Sequence, residues 1–280
     1  MKTANKLVSL LLAIILLFTA FPGKIYAGNL STAARDWYYT KSQNRKTPVV
    51  SEEVKDLLKK YDAYYVGNTK KKIIYLTFDL GYENGYTADI LDVLKKHDMK
   101  ASFFVCKAFI DQNPKGLKRM IKEGHVVGNH TVNHISFYKL SDSKLKSELN
   151  GVEQAYEKVM GEKMTKIVRP PSGSYSEKSL AALRKLGYKT FFWSIALPND
   201  WNLSNQPTKE AALQLFKVQR HKGAIVLLHG VSPAVAGNLD TMLSQLEDAG
   251  YQFGLVTDIP AAADTTAADT TATDTTVSKP

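Results

Sequence analysis

Short apolar runs alternate with amphipathic stretches from residue 73 to residue 256. In one stretch, Leu145, Leu149, Val152, Tyr156 and Val159 recur at spacings of four, three, four and three, which predicts one face of a helix. Seven runs rich in β-branched and aromatic residues predict strands at 73–78, 101–106, 125–128, 166–168, 189–194, 224–228 and 251–256.

Helical stretches separate the predicted strands. A helix is predicted to begin after Ser176, which can cap it, and to end at Gly187. Alternation of this kind predicts a parallel sheet with helices outside it. Seven strands within roughly 180 residues favour a distorted (β/α)7 barrel with an N-terminal extension, smaller than the usual eightfold barrel. An open doubly wound sheet is the alternative, but no glycine-rich phosphate loop follows the first strand.

The two ends of the chain differ from the middle. Residues 1–27 resemble a secretory signal, with Lys2 and Lys6 before an apolar run and Ala27 at a suitable cleavage site. An uncleaved anchor is the alternative, although the apolar run is shorter than the roughly 20 residues of a membrane span. Residues 261–280 form a polar Thr/Asp/Ala-rich tail that we expect to be disordered.

The remaining residues divide into two parts. Residues 28–72 are basic and contain Trp37 and several tyrosines, so we expect a segment that packs on the main domain, with a helix around 51–61. Residues 73–260 form the main domain. A signal sequence places both parts outside the cytoplasm, so a secreted or cell-envelope location is expected.

The net charge indicates the kind of partner, and the cysteine content bears on how the fold is stabilised. The formal net charge of +10 favours an anionic partner such as a cell-wall polymer, a membrane surface or nucleic acid. Cys106 is the single cysteine, so no internal disulfide is possible, and its apolar context predicts a buried side chain.

Polar side chains stand where the predicted strands end. Parallel barrels build their active sites at the carboxyl ends of the strands, so these side chains are expected to meet at one rim. In chain order they are Asp79, His130, His134, Arg169, Asp200, Trp201 and His229.

His130 and His134 are candidate metal ligands. If they occupy one helical turn, residues four apart present both imidazoles on the same face, which suits zinc and similar divalent ions. Two polar residues in a surface turn are the alternative. The His-Glu-x-x-His pattern of common zinc proteases is absent. His97, His125 and His221 lie away from the rim and are interpreted as structural or solvated.

Five motifs follow one another along the chain, namely Thr77-Phe-Asp79, His130-Thr-x-x-His134, Arg169-Pro-Pro-Ser-Gly173, Asp200-Trp201 and Leu227-Leu-His229. In this order they resemble the motifs of the NodB-type polysaccharide deacetylases, carbohydrate esterase family four. Within that family, residues 64–69 and 77–87 resemble the branch that de-N-acetylates muramic acid and forms muramic δ-lactam in spore-forming bacteria.

The resemblance implies a role for each rim residue. Asp79 would be the general base, and His229 the acid that protonates the leaving nitrogen. Arg169 would keep Asp79 ionised and Asp200 would orient His229. His130 and His134 would hold the metal. The backbone N–H of Ser172 would stabilise the oxyanion, Leu227 would line the acetyl pocket, and Trp201 would either stack on a sugar or pack in the core.

The chain departs from the family at Leu80. Most members have a second aspartate there that completes the metal site with the two histidines, whereas leucine has no donor atom. The δ-lactam branch also tends to lack this aspartate. We therefore expect a weakly held divalent metal, zinc with manganese or magnesium as alternatives, and retained activity.

The predicted function is de-N-acetylation of N-acetylmuramic acid in peptidoglycan, leading to muramic δ-lactam in the spore cortex. The alternatives are an N-acetylglucosamine or chitin-type deacetylase, and a non-catalytic glycan-binding module with a degenerate metal site. Peptidoglycan glycan strands are the expected partner, nucleic acid is not, and membrane contact would require an uncleaved signal. In a sporulating cell the location would be the cortex side of the forespore.

Overall fold

A computed structural model of the chain describes residues 30–41 and 44–260. The predicted signal at 1–27 and the predicted tail at 261–280 lie outside the described residues. From Ser31 onward the described residues belong to one compact unit. None of the helices within them combines the length and apolar character that crossing a membrane requires.

Eleven strands and eight helices of more than one turn make up the described residues. The strands are β1 Arg35–Asp36, β2 Ala63–Tyr64, β3 Ile73–Leu80, β4 Ser102–Val105, β5 Val126–Asn129, β6 Ile167–Val168, β7 Ser174–Tyr175, β8 Lys189–Phe191, β9 Ile195–Ala196, β10 Ala224–His229 and β11 Gln252–Gly254. The helices are α1 Glu52–Lys60, α2 Thr87–Lys96, α3 Lys107–Gln112, α4 Pro114–Lys122, α5 Asp142–Met160, α6 Glu177–Lys185, α7 Lys209–Gln219 and α8 Pro233–Asp248.

Nine of the strands form one parallel sheet in the order β2-β8-β6-β5-β4-β3-β10-β9, with β11 also paired to β3. The sheet is curled into a half-barrel. It is not closed, because the two ends of this path, β2 and β9, are not paired with each other. The predicted distorted (β/α)7 barrel is therefore confirmed as the fold class, and the open doubly wound alternative is wrong.

Two predicted strands end at least two residues earlier than expected. The run 189–194 is a strand only over β8, because the chain leaves the sheet at Phe192 and Trp193, and β9 begins after the run, at Ile195. The run 251–256 ends at Gly254, and Val256–Asp258 forms a 3-10 turn. The N-terminal segment contributes β2 to the sheet, a strand that the apolar pattern did not predict.

Alternation along β3 separates the core from the site. Ile74, Leu76, Phe78 and Leu80 face the helices and join the largest apolar cluster with residues of α2 and α8. The intervening side chains of β3, which include Asp79, face the inside of the curled sheet. Asp79 and Leu80 are adjacent in the sequence but lie on opposite faces of the sheet.

The N-terminal segment packs against the strands around β6 to β8. Helix α1 occupies the position expected near 51–61, and Ser51 caps it by accepting a hydrogen bond from the Val54 N–H. Strand β1 pairs with β7 in an antiparallel ribbon outside the main sheet. Trp37 and Tyr61 join a second apolar cluster together with Phe192.

Candidate active site

A cavity of about 940 Å³ opens at the carboxyl ends of the strands. The sheet topology brings the predicted rim residues to this edge, because all nine strands of the sheet run in parallel. Arg169 and Asp200 are fully buried behind the cavity wall. The other predicted site residues line the cavity, namely Asp79, His130, His134, Ser172, Trp201, Leu227 and His229.

Asp79 and Arg169 form a buried ion pair. The Arg169 Nη1 donates to Asp79 Oδ1 at 2.7 Å, and Arg169 Nε donates to the Phe191 carbonyl at 3.2 Å. The guanidinium lies over the Phe104 ring at 4.3 Å. Burial alone would raise the pKa of the Asp79 carboxyl, but Arg169 and His130 outweigh it and the pKa is lowered. Asp79 is therefore ionised at neutral pH.

The second histidine lies close to the first. The His130 and His134 rings are 4.8 Å apart between centroids. The predicted helical turn is wrong, because Thr131 (φ 71°) and His134 (φ 52°) both adopt left-handed backbone conformations. The segment is a tight loop in which the His134 N–H donates to Thr131 Oγ1 at 3.0 Å. It still brings both imidazoles to the cavity.

Glu148 on α5 holds this loop and was not predicted. Its carboxylate accepts the Asn133 N–H at 2.8 Å and the Asn133 Nδ2 at 2.7 Å, although Glu148 is only 2% exposed. Asn129, the last residue of β5, also holds the loop, because its Oδ1 accepts the Thr131 N–H at 2.9 Å. A carboxylate adjacent to the apolar stripe of α5 is the sequence signal that could have identified Glu148.

Both imidazoles are suited to bind a metal ion. Burial lowers the pKa of His130 to about 4 and also lowers the pKa of His134, so both rings are neutral at pH 7. His130 Nδ1 is 2.9 Å from the Arg169 carbonyl, which places the proton on Nδ1. The lone pair of Nε2 then faces the cavity, where Asp79 Oδ2 lies 3.5 Å away.

Leu80 does not supply a third side-chain ligand beside the two histidines. Leu80 packs against Ile90 and next to Gly230, on the helix side of the sheet. Among the described residues, no group of three or more His, Cys, Asp or Glu side chains has the arrangement of a metal site. The residues fit a divalent ion held by two imidazoles, with the other coordination positions left to water or substrate.

His229 and Asp200 form a second pair across the cavity. His229 Nδ1 lies 2.7 Å from Asp200 Oδ1, and the His229 N–H donates to Asp200 Oδ2 at 2.8 Å. Burial would lower the pKa of His229, but the hydrogen bond and charge of Asp200 outweigh it and the pKa is raised. His229 is opposite Asp79 in the register of β10 and β3, so the two side chains are neighbours on the inner face.

Ser172 lies in a tight turn between β6 and β7. Pro170 and Pro171 have no N–H, and the Gly173 N–H donates to the Pro170 carbonyl at 2.9 Å. The Ser172 N–H is therefore the candidate donor of this turn toward the cavity that Ser172 lines. Ser172 itself has a positive φ of 55°.

Leu227 and Trp201 differ in environment. Leu227 is buried and lines the cavity floor two residues before His229, on the same face of β10. Trp201 is 60% exposed at the rim, so the core-packing alternative is wrong. Tyr82, a second exposed aromatic residue of the lining, was not predicted.

Cys106 is buried, as predicted, and also borders the cavity. Its thiol donates to the His130 carbonyl at 3.2 Å. Burial raises the pKa of the Cys106 thiol to about 12, so the sulfur is a neutral thiol that supports the histidine loop.

Comparison with known proteins supports the interpretation of the cavity as an enzyme site. Residues 66–191 match the polysaccharide deacetylase family. Over 224 residues the chain is 42% identical to the peptidoglycan-N-acetylmuramic acid deacetylase PdaA of Bacillus subtilis, covering 80% of this chain and 85% of that protein.

Two further similarities concern a second relative and a solved structure. The chain is 33% identical over 204 residues to a peptidoglycan-N-acetylglucosamine deacetylase of Bacillus cereus, covering 71% of this chain and 92% of that protein. The solved structure of Bacillus subtilis PdaA, a family 4 carbohydrate esterase, superposes with a TM-score of 0.79 at 40% identity, covering 82% of this chain and 98% of that one.

Proposed function

Because this chain belongs to the polysaccharide deacetylase family of carbohydrate esterases, we propose that it hydrolyses the acetamide of N-acetylmuramic acid in peptidoglycan. The observation that carries this proposal is the pair of oppositely tuned groups in one cavity. Arg169 lowers the pKa of Asp79 and so favours the carboxylate, and Asp200 raises the pKa of His229 and so favours its protonated form. A base and an acid on neighbouring strands are what amide hydrolysis requires.

The base side of the reaction begins with water. Asp79 accepts the proton of the attacking water, and Arg169 keeps the carboxylate ionised and oriented through the 2.7 Å hydrogen bond. A divalent ion held by His130 and His134 would lower the pKa of that water and polarise the acetyl carbonyl. The lowered pKa of both imidazoles keeps their ring nitrogens free of a competing proton.

The acid side completes the cleavage. As the tetrahedral centre forms, the Ser172 N–H donates to the developing oxyanion. His229 then donates a proton to the leaving nitrogen, since an amine leaves only when it is protonated. Asp200 holds the Nδ1 proton of His229, so the other ring nitrogen faces the substrate. Leu227 contacts the acetyl methyl group, and the exposed Trp201 offers a stacking surface for a sugar ring.

The cavity lining bears on the choice of sugar. Among the described residues that line the cavity there is no Lys or Arg side chain. A lactyl carboxylate of muramic acid would therefore meet neutral donors such as Asn133 and Asn199. The net charge of +10 would act at longer range, by attracting the anionic glycan strand.

We propose muramic acid as the sugar because the chain is 42% identical to a deacetylase of that name. In this proposal the freed amine attacks the lactyl carboxyl carbon, which has lost its stem peptide. The carbon–oxygen bond breaks and water leaves as the amide bond forms, which gives muramic δ-lactam in the spore cortex. An N-acetylglucosamine deacetylase is the second candidate, supported by the 33% identical relative. An extracytoplasmic location near the cell wall or cortex is part of the proposal.

The test compares substrates and variants. Wild type and Asp79→Asn would be incubated with peptide-stripped and with intact peptidoglycan, and released acetate would be measured. Mass spectrometry of muramidase-digested glycans then identifies the sugar that has lost its acetyl group. We expect acetate from muramic residues of the stripped glycan with wild type only. Loss of acetyl groups from glucosamine would refute the sugar assignment.

A separate outcome concerns catalysis itself. If folded wild type binds glycan strands but releases no acetate with any added metal, the chain is a glycan-binding module. Circular dichroism of both proteins checks that Asp79→Asn is folded, so a difference in acetate release reports chemistry.

A further inference from the structure

The turn that carries Ser172 adopts an unusual backbone conformation. Ser172 and Gly173 both have positive φ values, 55° and 67°. Left-handed φ is uncommon for a residue with a side chain, and it persists where surrounding contacts specify it. The question is which part of the molecule imposes this conformation on the turn.

Strand β1 binds the turn from outside the barrel. The Trp37 N–H donates to the Gly173 carbonyl at 2.9 Å. One residue earlier, Asp36 pairs with Ser174 in the β1–β7 ribbon, and the Ser174 hydroxyl donates to Asp36 Oδ1 at 2.6 Å. These contacts hold the backbone immediately after Ser172.

The Trp37 side chain closes the other side of the turn. It is 9% exposed, stacks on Phe192 with ring centroids 4.5 Å apart, and donates its indole N–H to the Trp193 carbonyl at 2.9 Å. A Cβ on Gly173 would lie 2.8 Å from Trp37 Cβ and 2.9 Å from Trp193 Cη2. Gly173 is therefore enclosed between two tryptophans, and a turn enclosed in this way has one conformation available.

We propose that β1 together with Trp37, the residue that follows it, is a positioning element of the active site and that Trp37 is the positioning residue. Trp37 does not line the cavity and touches no reacting group. Trp37 acts through Gly173, by keeping the Ser172 N–H directed at the oxygen of the acetyl group. The N-terminal segment is thus part of the catalytic apparatus. The identity of the oxyanion rests on the proposed function, whereas the control of the turn by Trp37 does not.

The experiment uses the full chain with Trp37→Ala, Trp37→Phe and a neighbouring control, Tyr38→Ala. Tyr38 is 78% exposed on the same segment. Removing an oxyanion donor typically costs about 100- to 1,000-fold in kcat, so displacing one is expected to lower kcat by about 10- to 100-fold. We expect that loss for Trp37→Ala with KM within about twofold, partial recovery for Trp37→Phe, and wild-type kinetics for Tyr38→Ala.

Two measurements separate positioning from general stability. A methylphosphonamidate analogue of the acetylated sugar mimics the oxyanion, so its binding should weaken in Trp37→Ala by about the same factor as kcat, while the deacetylated sugar binds as in wild type. Amide hydrogen exchange should become faster in Trp37→Ala at Gly173, whose N–H is bonded to the Pro170 carbonyl, and stay unchanged in the distant strand β4.

Each result decides one statement. Unchanged kcat, unchanged analogue binding and wild-type exchange at Gly173 in a variant that melts at lower temperature would overturn the proposal. If Trp37→Ala does not fold, the same comparison is made with Trp37→Phe, which loses the indole donor. If wild type releases no acetate, the proposed function fails, and the exchange at Gly173 still decides whether Trp37 controls the turn.

Discussion

Replacing Arg169 by methionine tests the central electrostatic argument. Methionine retains an unbranched apolar stem but removes the guanidinium that donates to Asp79 at 2.7 Å. It also leaves the carbonyls of Phe191 and Phe192 without their donors, at 3.2 and 3.4 Å. Asp79 then remains as a carboxylate in a buried site without its main cation.

The magnitude follows from burial. Arg169 is 0% exposed and Asp79 is 5% exposed, so water cannot replace the lost cation. Removing one partner of a buried pair costs about 3–5 kcal/mol of unfolding free energy. Because this cost falls on the ionised form of Asp79, the pKa of Asp79 is expected to rise in the variant. The base would then be protonated over part of the range in which the wild type is active.

The pH dependence has a definite sign. In wild type the pKa of Asp79 is lowered by folding, so its stabilising contribution is present above the unfolded pKa and is lost as pH falls through the folded one. The stability difference between wild type and Arg169→Met should therefore be largest at neutral pH and shrink in acid. The acid limb of kcat/KM should move to higher pH in the variant.

Urea unfolding at pH 7 and pH 4, with a pH–rate profile for each protein, measures both effects. Arg169→Lys is the control that keeps a charge, and Asp79→Asn with Arg169→Met removes both charges. A loss of less than about 1 kcal/mol of unfolding free energy at pH 7 in Arg169→Met would refute the stabilising role of the ion pair. An unmoved acid limb of kcat/KM would do the same, since a buried pair of this geometry allows neither result.

Three further predictions concern the metal, the acid and the histidine loop. Chelation should abolish acetate release, and zinc, manganese or magnesium should restore it; turnover that is insensitive to chelation would contradict a metal requirement. Asp200→Asn should lower the pKa of His229, because the carboxylate raises it, so the basic limb of kcat should move to lower pH; an unmoved limb would exclude His229 as the acid. Glu148→Gln should loosen Asn133 and weaken metal binding by about 10- to 100-fold, measured by competition with a chromogenic chelator, while an unchanged affinity would assign Glu148 to folding alone.

The fold and the strand-end residues could be predicted because the information is local. Apolar runs with period-two alternation identify strands, and in a parallel sheet the residue after each run must lie at one edge. Asp79 and His229 follow from this rule alone. The pattern could not predict that Trp193 leaves the sheet, because Phe191, Phe192 and Trp193 form an unbroken aromatic run of the kind that favours a strand.

The supporting residues depend on partners distant in the sequence. Trp37 meets the Trp193 carbonyl across 156 positions, and Glu148 meets Asn133 through a loop whose left-handed residues carry side chains. The spacing of four between the two histidines is compatible with a helical turn, but Thr131 and His134 adopt left-handed conformations in a loop that Glu148 holds. No pattern of hydrophobicity indicates which peptide of Arg-Pro-Pro-Ser-Gly a remote tryptophan will hold.

The packing of Leu80 has a consequence for the divergence of such enzymes. Its side chain fills space beside Ile90 that exists because Gly230 has no Cβ, which would otherwise approach Leu80 Cδ2 to 2.2 Å. With the backbone unchanged, an aspartate introduced at this position would place a carboxylate in the apolar layer under α2, buried without a partner. Replacing Leu80 by aspartate alone is therefore expected to destabilise the fold, and gaining a third side-chain ligand at this position would require the neighbouring backbone or packing to change as well.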